Sequence, residues 1–306
     1  MNKRLTTITI IVLLLVLAGY LIVDRAGTGE TGKRTPLSAD TPEVTDQWII
    51  EKVFEPGRGQ LYAVVAPAGE IIFLAGESFI AAYDAGFNLL WEYKTEMPVT
   101  ALSASGDLLY AASQGVILVF NAKGEKIDDW GPFENNSMIT SLSANDSHVA
   151  YADAANKTIY ILDKSGSLIT LIGRSGEPFI IPSPYFDIAL GSDNVLFAAN
   201  TGKRRIEIRK RDGTLLDYFG EQGTSPEAFF GCCNPAHFAL IPGGFVTAEK
   251  GKNRIKILDA DGGFVEFVSS VNTFVPSLPL DVYSPDGKVI FAANPADSKV
   301  YVFRKK

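Results

Sequence analysis

The chain has 306 residues and a formal net charge of −7, an acidic balance that argues against a polyanionic partner such as nucleic acid. Apolar residues make up 46% and charged residues 21%, with 28 glycines and 16 prolines, which excludes a disordered or collagenous chain and fits a turn-rich globular one. Two cysteines and two histidines are too few for a disulfide scaffold or a histidine-rich metal enzyme.

Behind Met1-Asn2-Lys3-Arg4, residues 5 to 23 read LTTITIIVLLLVLAGYLIV without a single charge. At about 1.5 Å per residue a helix of this length covers a hydrocarbon core of about 30 Å, which predicts a transmembrane signal anchor preceded by a cytoplasmic tail, residues 1–4. A cleaved signal peptide shares the basic start and the apolar run. Against cleavage, the run exceeds the usual h-region and no small-x-small site closes it. A short basic tail kept in the cytoplasm sends the bulk of the chain out of it, to the periplasm or cell surface. Residues 24–46, DRAGTGETGKRTPLSADTPEVTD, are polar and rich in Gly, Thr and Pro, and read as a flexible linker.

From residue 47 the chain is a repeat. Six times it runs through a short apolar strand, a Gly or Asp turn, a β-rich strand ending in small residues, a polar turn and a third alternating strand. The second strands are EIIFLAG, DLLYAAS, HVAYADA, NVLFAAN, GFVTAEK and KVIFAAN; the third are FIAAYDA, VILVFNA, TIYILDK, RIEIRKR, RIKILDA and KVYVFRK. Asp84, Asn121, Asp163, Lys210, Asp259 and Lys305 hold one equivalent position, 37 to 49 residues apart. Runs rich in Val, Ile, Phe and Tyr and bounded by Gly, Asp, Asn and Pro are strands, and a four-stranded unit of this length is a propeller blade. The expectation is an all-β six-bladed β-propeller over 47–306, preceded by one transmembrane helix. The last unit stops one strand short, while QWIIEKVFE, residues 47–55, is a strand without a partner; it is expected to supply the outer strand of the sixth blade.

NPAHFALIPGGFVTAEKGKNRIKILDADG, residues 234–262, resembles the NHL repeat, with its Pro, short apolar strand, Gly turn, N-R-I strand and Asp-Gly turn. Residues 184–213, PYFDIALGSDNVLFAANTGKRRIEIRKRDG, look like a second copy. The resemblance implies that the segment before the Pro joins the outer strand of one blade to the inner strand of the next, on the face where such propellers bind ligands. FFGCCNPAHFAL, residues 229–240, would then set Cys232 and Cys233 at the mouth of the channel and His237 on the inner strand of blade five. Arg204, Arg205 and Arg254 come from neighbouring loops as further candidates for binding.

The cysteine pair has three readings. An oxidising compartment favours a Cys232–Cys233 disulfide, although ordinary disulfides separate their Cα atoms by about 4.4–6.8 Å and chain neighbours lie about 3.8 Å apart. Two thiolates with His237 would suit copper or zinc, without the two-residue spacer of a zinc knuckle. The third reading is a pair of thiols packed as small hydrophobes. Asp187, Asp281 and Glu249 are candidate oxygen ligands for calcium, as in lactonase-like propellers. His148 reads as a surface residue, and the alternating charges of GKRRIEIRKRDG, residues 202–213, read as a solvated outer strand rather than a nucleic-acid site. No nucleophile elbow, HExxH, P-loop or dinucleotide fingerprint stands in a supporting context, so no cofactor is predicted. The reading is a membrane-tethered extracytoplasmic module that binds an envelope protein, peptide or small molecule. Its alternative is a channel-centred lyase, hydrolase or quinone-dependent oxidoreductase.

Overall fold

The structure is a computed structural model that describes residues 47–270, 274–275 and 277–306. The anchor and linker expected over residues 1–46 lie outside the described residues, and among those described no helix is long and apolar enough to cross a membrane.

The strands form six four-stranded antiparallel sheets, and in blades one to five the four strands are consecutive in the chain. Each inner strand touches the inner strands of both neighbouring blades, blade six against blade one included, so the sheets close into a ring. The chain is a six-bladed β-propeller. Blade six is made of Asp281–Tyr283, Val289–Asn294 and Lys299–Lys305, with Trp48–Phe54 as its outer strand. Trp48 pairs with Lys305 and Phe54 with Val300, so the first and last strands of the described chain share one sheet.

Burial explains the sequence pattern. A second strand is covered on both faces by the adjacent blades, and His148–Asp153 is buried at every position. The apolar run therefore does not alternate. The outer strand Leu89–Lys94, with one face in water, buries nothing fully. The core is divided accordingly into clusters between neighbouring blades. One sets Ala199, Ile206 and Phe219 of blade four against Phe238, Phe245 and Leu258 of blade five, and another sets Trp48 and Phe303 of blade six against Val246 and Ile257 of blade five.

The repeated Asp or Asn position opens a turn that seals one blade on the one before it. Gly166 N donates to Asp163 O at 3.1 Å, and Gly166 has φ +83°, in the left-handed region that glycine enters without strain. A Cβ there would stand 2.6 Å from the Trp130 ring of blade two, so the turn backbone lies flat on that indole. Where blade one follows blade six, the same turn presents Phe87 instead, its ring centroid 4.5 Å from that of Phe54.

Candidate functional site

Six residues hold one equivalent place at the start of the inner strands, each facing an alanine on its second strand. They are Ala63, Ala101, Ser141, Asp187, His237 and Asp281, opposite Ala75, Ala112, Ala152, Ala199, Ala248 and Ala293. Blades three to six thus contribute a polar arc and blades one and two contribute alanine. Within the arc each side chain reaches the next blade. Ser141 Oγ donates to Asp187 Oδ1 at 2.5 Å, and Phe238 N of blade five donates to Asp187 Oδ2 at 2.7 Å. His237 Nδ1 lies 3.8 Å from Asp187 Oδ2 and 3.6 Å from Asp281 Oδ1. Asp281 Oδ2 accepts from Val64 N of blade one at 2.8 Å.

The arc lines a cavity of about 220 Å³ on the channel axis, whose remaining wall is small, with Ser103, Ser143, Ala144 and Ala189 among its residues. Burial raises both carboxyls, while the His237 ring and their hydrogen bonds work in the other direction. Asp187 is pushed above the usual carboxylate range and Asp281 is pushed up to about 6. Charged carboxylates lose more than neutral ones on leaving water, so the arc can hold or release a proton near neutral pH.

The cysteine loop sits at the end of the channel where the inner strands begin, immediately before His237. Asn234 pins it: its side-chain oxygen accepts from Lys250 N at 2.9 Å, and its amide nitrogen donates to Lys250 O at 2.9 Å and to Phe230 O. Phe230 N donates to Glu249 Oε2 at 2.9 Å, and Arg204 Nε donates to Gly231 O at 3.1 Å. Thus held between blades four and five, Cys232 is exposed and Cys233 buried, with their sulfurs 3.0 Å apart. A cleft of about 350 Å³ opens beside Cys232, lined by Phe230, Gly231, Asn234, Lys250, Gly251 and Ser277. Tyr185 links the two places, its ring centroid 6.1 Å from that of His237 and 4.6 Å from Lys250 Nζ.

The chain matches no protein-family model and no curated protein. Solved structures share its architecture. A structural genomics protein of unknown function from Bacteroides thetaiotaomicron superposes with a TM-score of 0.65 at 12% identity, over 83% of this chain and 72% of that one. Catalytically inactive virginiamycin B lyase from Staphylococcus aureus, solved with quinupristin, gives 0.57 at 15% identity, over 81% and 82%. The Cps50 (Swd1) β-propeller domain of Myceliophteria thermophila gives 0.57 at 12%, over 85% and 100%. Likeness at such identities shows the propeller fold alone.

The sequence candidates are brought together only in part. His237 belongs with Asp187 and Asp281 rather than with the cysteines, and among the described residues no group of three His, Cys, Asp or Glu side chains is disposed to hold a metal ion. The soft-metal trio Cys232, Cys233 and His237 is therefore not assembled. Neither is the calcium set, because Glu249 is fully buried between Arg254 and Lys256, 2.9 Å and 3.1 Å away. That ion pair also withdraws Arg254, which is 4% exposed, from any ligand. Arg205 is held by Glu207 at 2.6 Å and by Glu177 at 3.2 Å, while Arg204 serves the loop backbone.

Two surface expectations are corrected. In GKRRIEIRKRDG two of the charges point inward: Glu207 is fully buried, and one of its oxygens takes the buried Arg209 at 2.6 Å, whereas Lys210, Arg211 and Asp212 are exposed. The strand itself thus holds a buried ion cluster, and the exposed charges are confined to the turn that follows it. His148 is 8% exposed, with Nδ1 2.7 Å from Asn194 Oδ1 and Nε2 2.7 Å from Arg211 Nη1, because the turn before its strand is covered by blade four. Ser141 carries no signal of its own in the sequence; aligning the six inner strands on their facing alanines is what finds it.

Proposed function

We propose that this chain is a membrane-tethered, extracytoplasmic propeller of the NHL-like kind that acts as a binding or scaffold module. Its ligand face is the end of the channel that carries Cys232, Cys233 and His237, and its partner is an envelope protein, peptide or small molecule. The observation that carries the reading is the concentration of unlike features at that one end. An exposed cleft with an aromatic and a cationic wall adjoins, through Tyr185, a polar cavity ringed by small side chains. Clefts that mix apolar surface with a few convergent polar groups are the usual places for ligands. The NHL-like segments 184–213 and 234–262 build the two blades that flank this end, and the uncharged stretch 5–23 supports the tether.

A photo-crosslinking side chain at Lys252, on the turn beside the cleft, is expected to capture a discrete envelope component. One at Asp107, on a turn at the far end of the channel, is not. Equal capture at both positions, or none at Lys252, would sink the proposal. A reporter enzyme active only outside the cytoplasm, fused after Lys306, tests the orientation.

One observation favours a second reading, a channel-centred lyase or hydrolase. His237 between two carboxylates, one of them titrating at about 6, is an acid–base arrangement. In that case His237→Ala would keep ligand binding and lose ligand conversion.

A further inference from the structure

Cys232 and Cys233 are neighbours in the chain but not in environment. One thiol is exposed on a cleft, and the other is buried behind it, with 3.0 Å between the sulfurs. Their loop is stitched on both sides, by Arg204 to Gly231 O and by Asn234 to Lys250, so the two sulfurs are held together. An accessible thiol backed by a second at contact distance is the arrangement that thiol–disulfide exchange requires. The first attacks, and the second displaces what the first has captured.

The rim of the cleft is cationic. Lys250 Nζ lies 4.6 Å from the Tyr185 ring centroid and Lys252 Nζ 5.0 Å from that of Phe230, and Arg204 reaches the loop itself. A cationic rim attracts a negatively charged reagent and repels a positive one, more strongly at low salt. The Cys232 thiol is also held below its ordinary range, first by the hydrogen bond with Cys233 and then by Lys250 and Arg204. Burial pushes the Cys233 thiol up. A thiolate is the nucleophile in such exchange, so the two residues are suited to different steps.

We propose that the Cys232–Cys233 loop is a thiol–disulfide exchange site for anionic low-molecular-weight disulfides, with Cys232 as the attacking and Cys233 as the resolving residue. In the first step the Cys232 thiolate attacks one sulfur of RS–SR. A Cys232–SR bond forms, the RS–SR bond breaks and RS⁻ leaves. In the second, Cys233 gives its proton to solvent and attacks Cys232 Sγ. The Cys232–Cys233 bond forms, the mixed disulfide breaks and a second RS⁻ leaves. Two electrons pass from the cysteine pair to RS–SR, which becomes two thiols after protonation. A bridge between chain neighbours is strained and readily reduced, so excess thiol resets the site. The proposal stands whether or not the channel binds a ligand.

The test uses the reduced full-length protein in detergent, with 5,5′-dithiobis(2-nitrobenzoate) as the anionic disulfide and cystamine as the cationic one. Wild-type protein is expected to consume both thiols and retain no adduct by intact mass. Cys233→Ser should retain one adduct, and Cys232→Ser should react at least about tenfold more slowly. The anionic reagent should react faster than cystamine, and Lys250→Gln or raised salt should narrow that gap. Wild-type protein that ends with an adduct on each cysteine, or Cys232→Ser that reacts as fast as wild type, would overturn the exchange site. Cystamine reacting as fast as the anionic reagent would overturn the substrate class. Peptide mapping of wild-type protein after a brief pulse assigns the first adduct without any variant; an adduct on Cys233 would overturn the assignment of roles.

Discussion

Asp281 does two jobs at one place: its Oδ2 ties blade six to Val64 of blade one, while its Oδ1 faces His237. Burial raises its carboxyl to about 6, so the folded state binds the proton more tightly than the unfolded chain does. Its contribution to stability is therefore fully present below the unfolded value of about 3.9 and is lost as pH rises through about 6. Asp281→Asn keeps an acceptor for Val64 N and removes the titration. Its stability relative to wild type should climb between pH 4 and pH 7, by roughly 1–3 kcal/mol, in urea titrations at several pH values. A difference that does not vary with pH would contradict the assignment. The buried cluster of Glu249, Arg254 and Lys256 gives a contrast between substitutions. Glu249→Gln leaves two buried cations without a counter-charge and should cost about 3–5 kcal/mol. Lys256 is pushed down to about 8, chiefly by burial; this stability contribution is present above its free value and lost as pH falls through about 8. At neutral pH Lys256→Met removes the surplus cation but leaves the Pro226 carbonyl without its donor, so its loss should be smaller than that of Glu249→Gln, about 1–2 kcal/mol, and equal losses for the two variants would refute this account.

Within a blade, the element that the chain advertises best is the turn after the third strand. Asp84, Asn121, Asp163 and Asp259 recur because each accepts from the backbone of its own turn, and that local chemistry is legible without a structure. What the turn packs against is not. Gly166 needs both its positive φ and the absence of a Cβ to lie on Trp130, a residue of the preceding blade. Gly166→Ala should lower stability by about 2–4 kcal/mol, the combined effect of left-handed strain and a displaced indole, with a red shift of Trp130 emission as water reaches the ring. The candidate site was legible to a lesser degree. Asp187, His237 and Asp281 stand apart in sequence, and two of their inner strands, Ile188–Leu190 and Asp281–Tyr283, are only three residues long. Loops of unequal length then hide the equivalence that the register makes plain. Proximity in the chain associates His237 with the cysteines, whereas the strand direction turns it toward the carboxylates.

Ring closure belongs to the whole molecule. The seam between blades six and one is held on the outside by Trp48–Phe54 on Lys299–Lys305, on the inside by Asp281 on Val64, and between them by Phe54, edge-on to Tyr83 and tilted against Phe87. A chain that begins near Gly57 loses the outer strand, exposes the edge Lys299–Lys305 and uncovers Phe303 and Val302. Exposed apolar edges invite pairing with other chains. Such a truncation is expected to aggregate or to melt without a cooperative transition, in scattering and calorimetry, and a soluble cooperative product would contradict the closure. Trp48→Ala tests the same seam more gently, with an expected loss of about 3–5 kcal/mol.

By itself the sequence determined the strands, their number per repeat and the number of repeats, because period, turn residues and apolar runs are local properties that act over a few residues. The tertiary structure alone decided which charges are inside. Glu207, Glu249 and Lys256 look like surface residues in any window of sequence, and they are fully buried because packing between blades covers them, while their ionic partners stand on the same blade, Arg205 and Arg209 around Glu207, and Arg254 with Lys256 around the Glu249 carboxylate. It also decided that four residues from four blades meet at one end of the channel. That meeting follows from radial closure, which brings the starts of the inner strands together however far apart they lie along the chain.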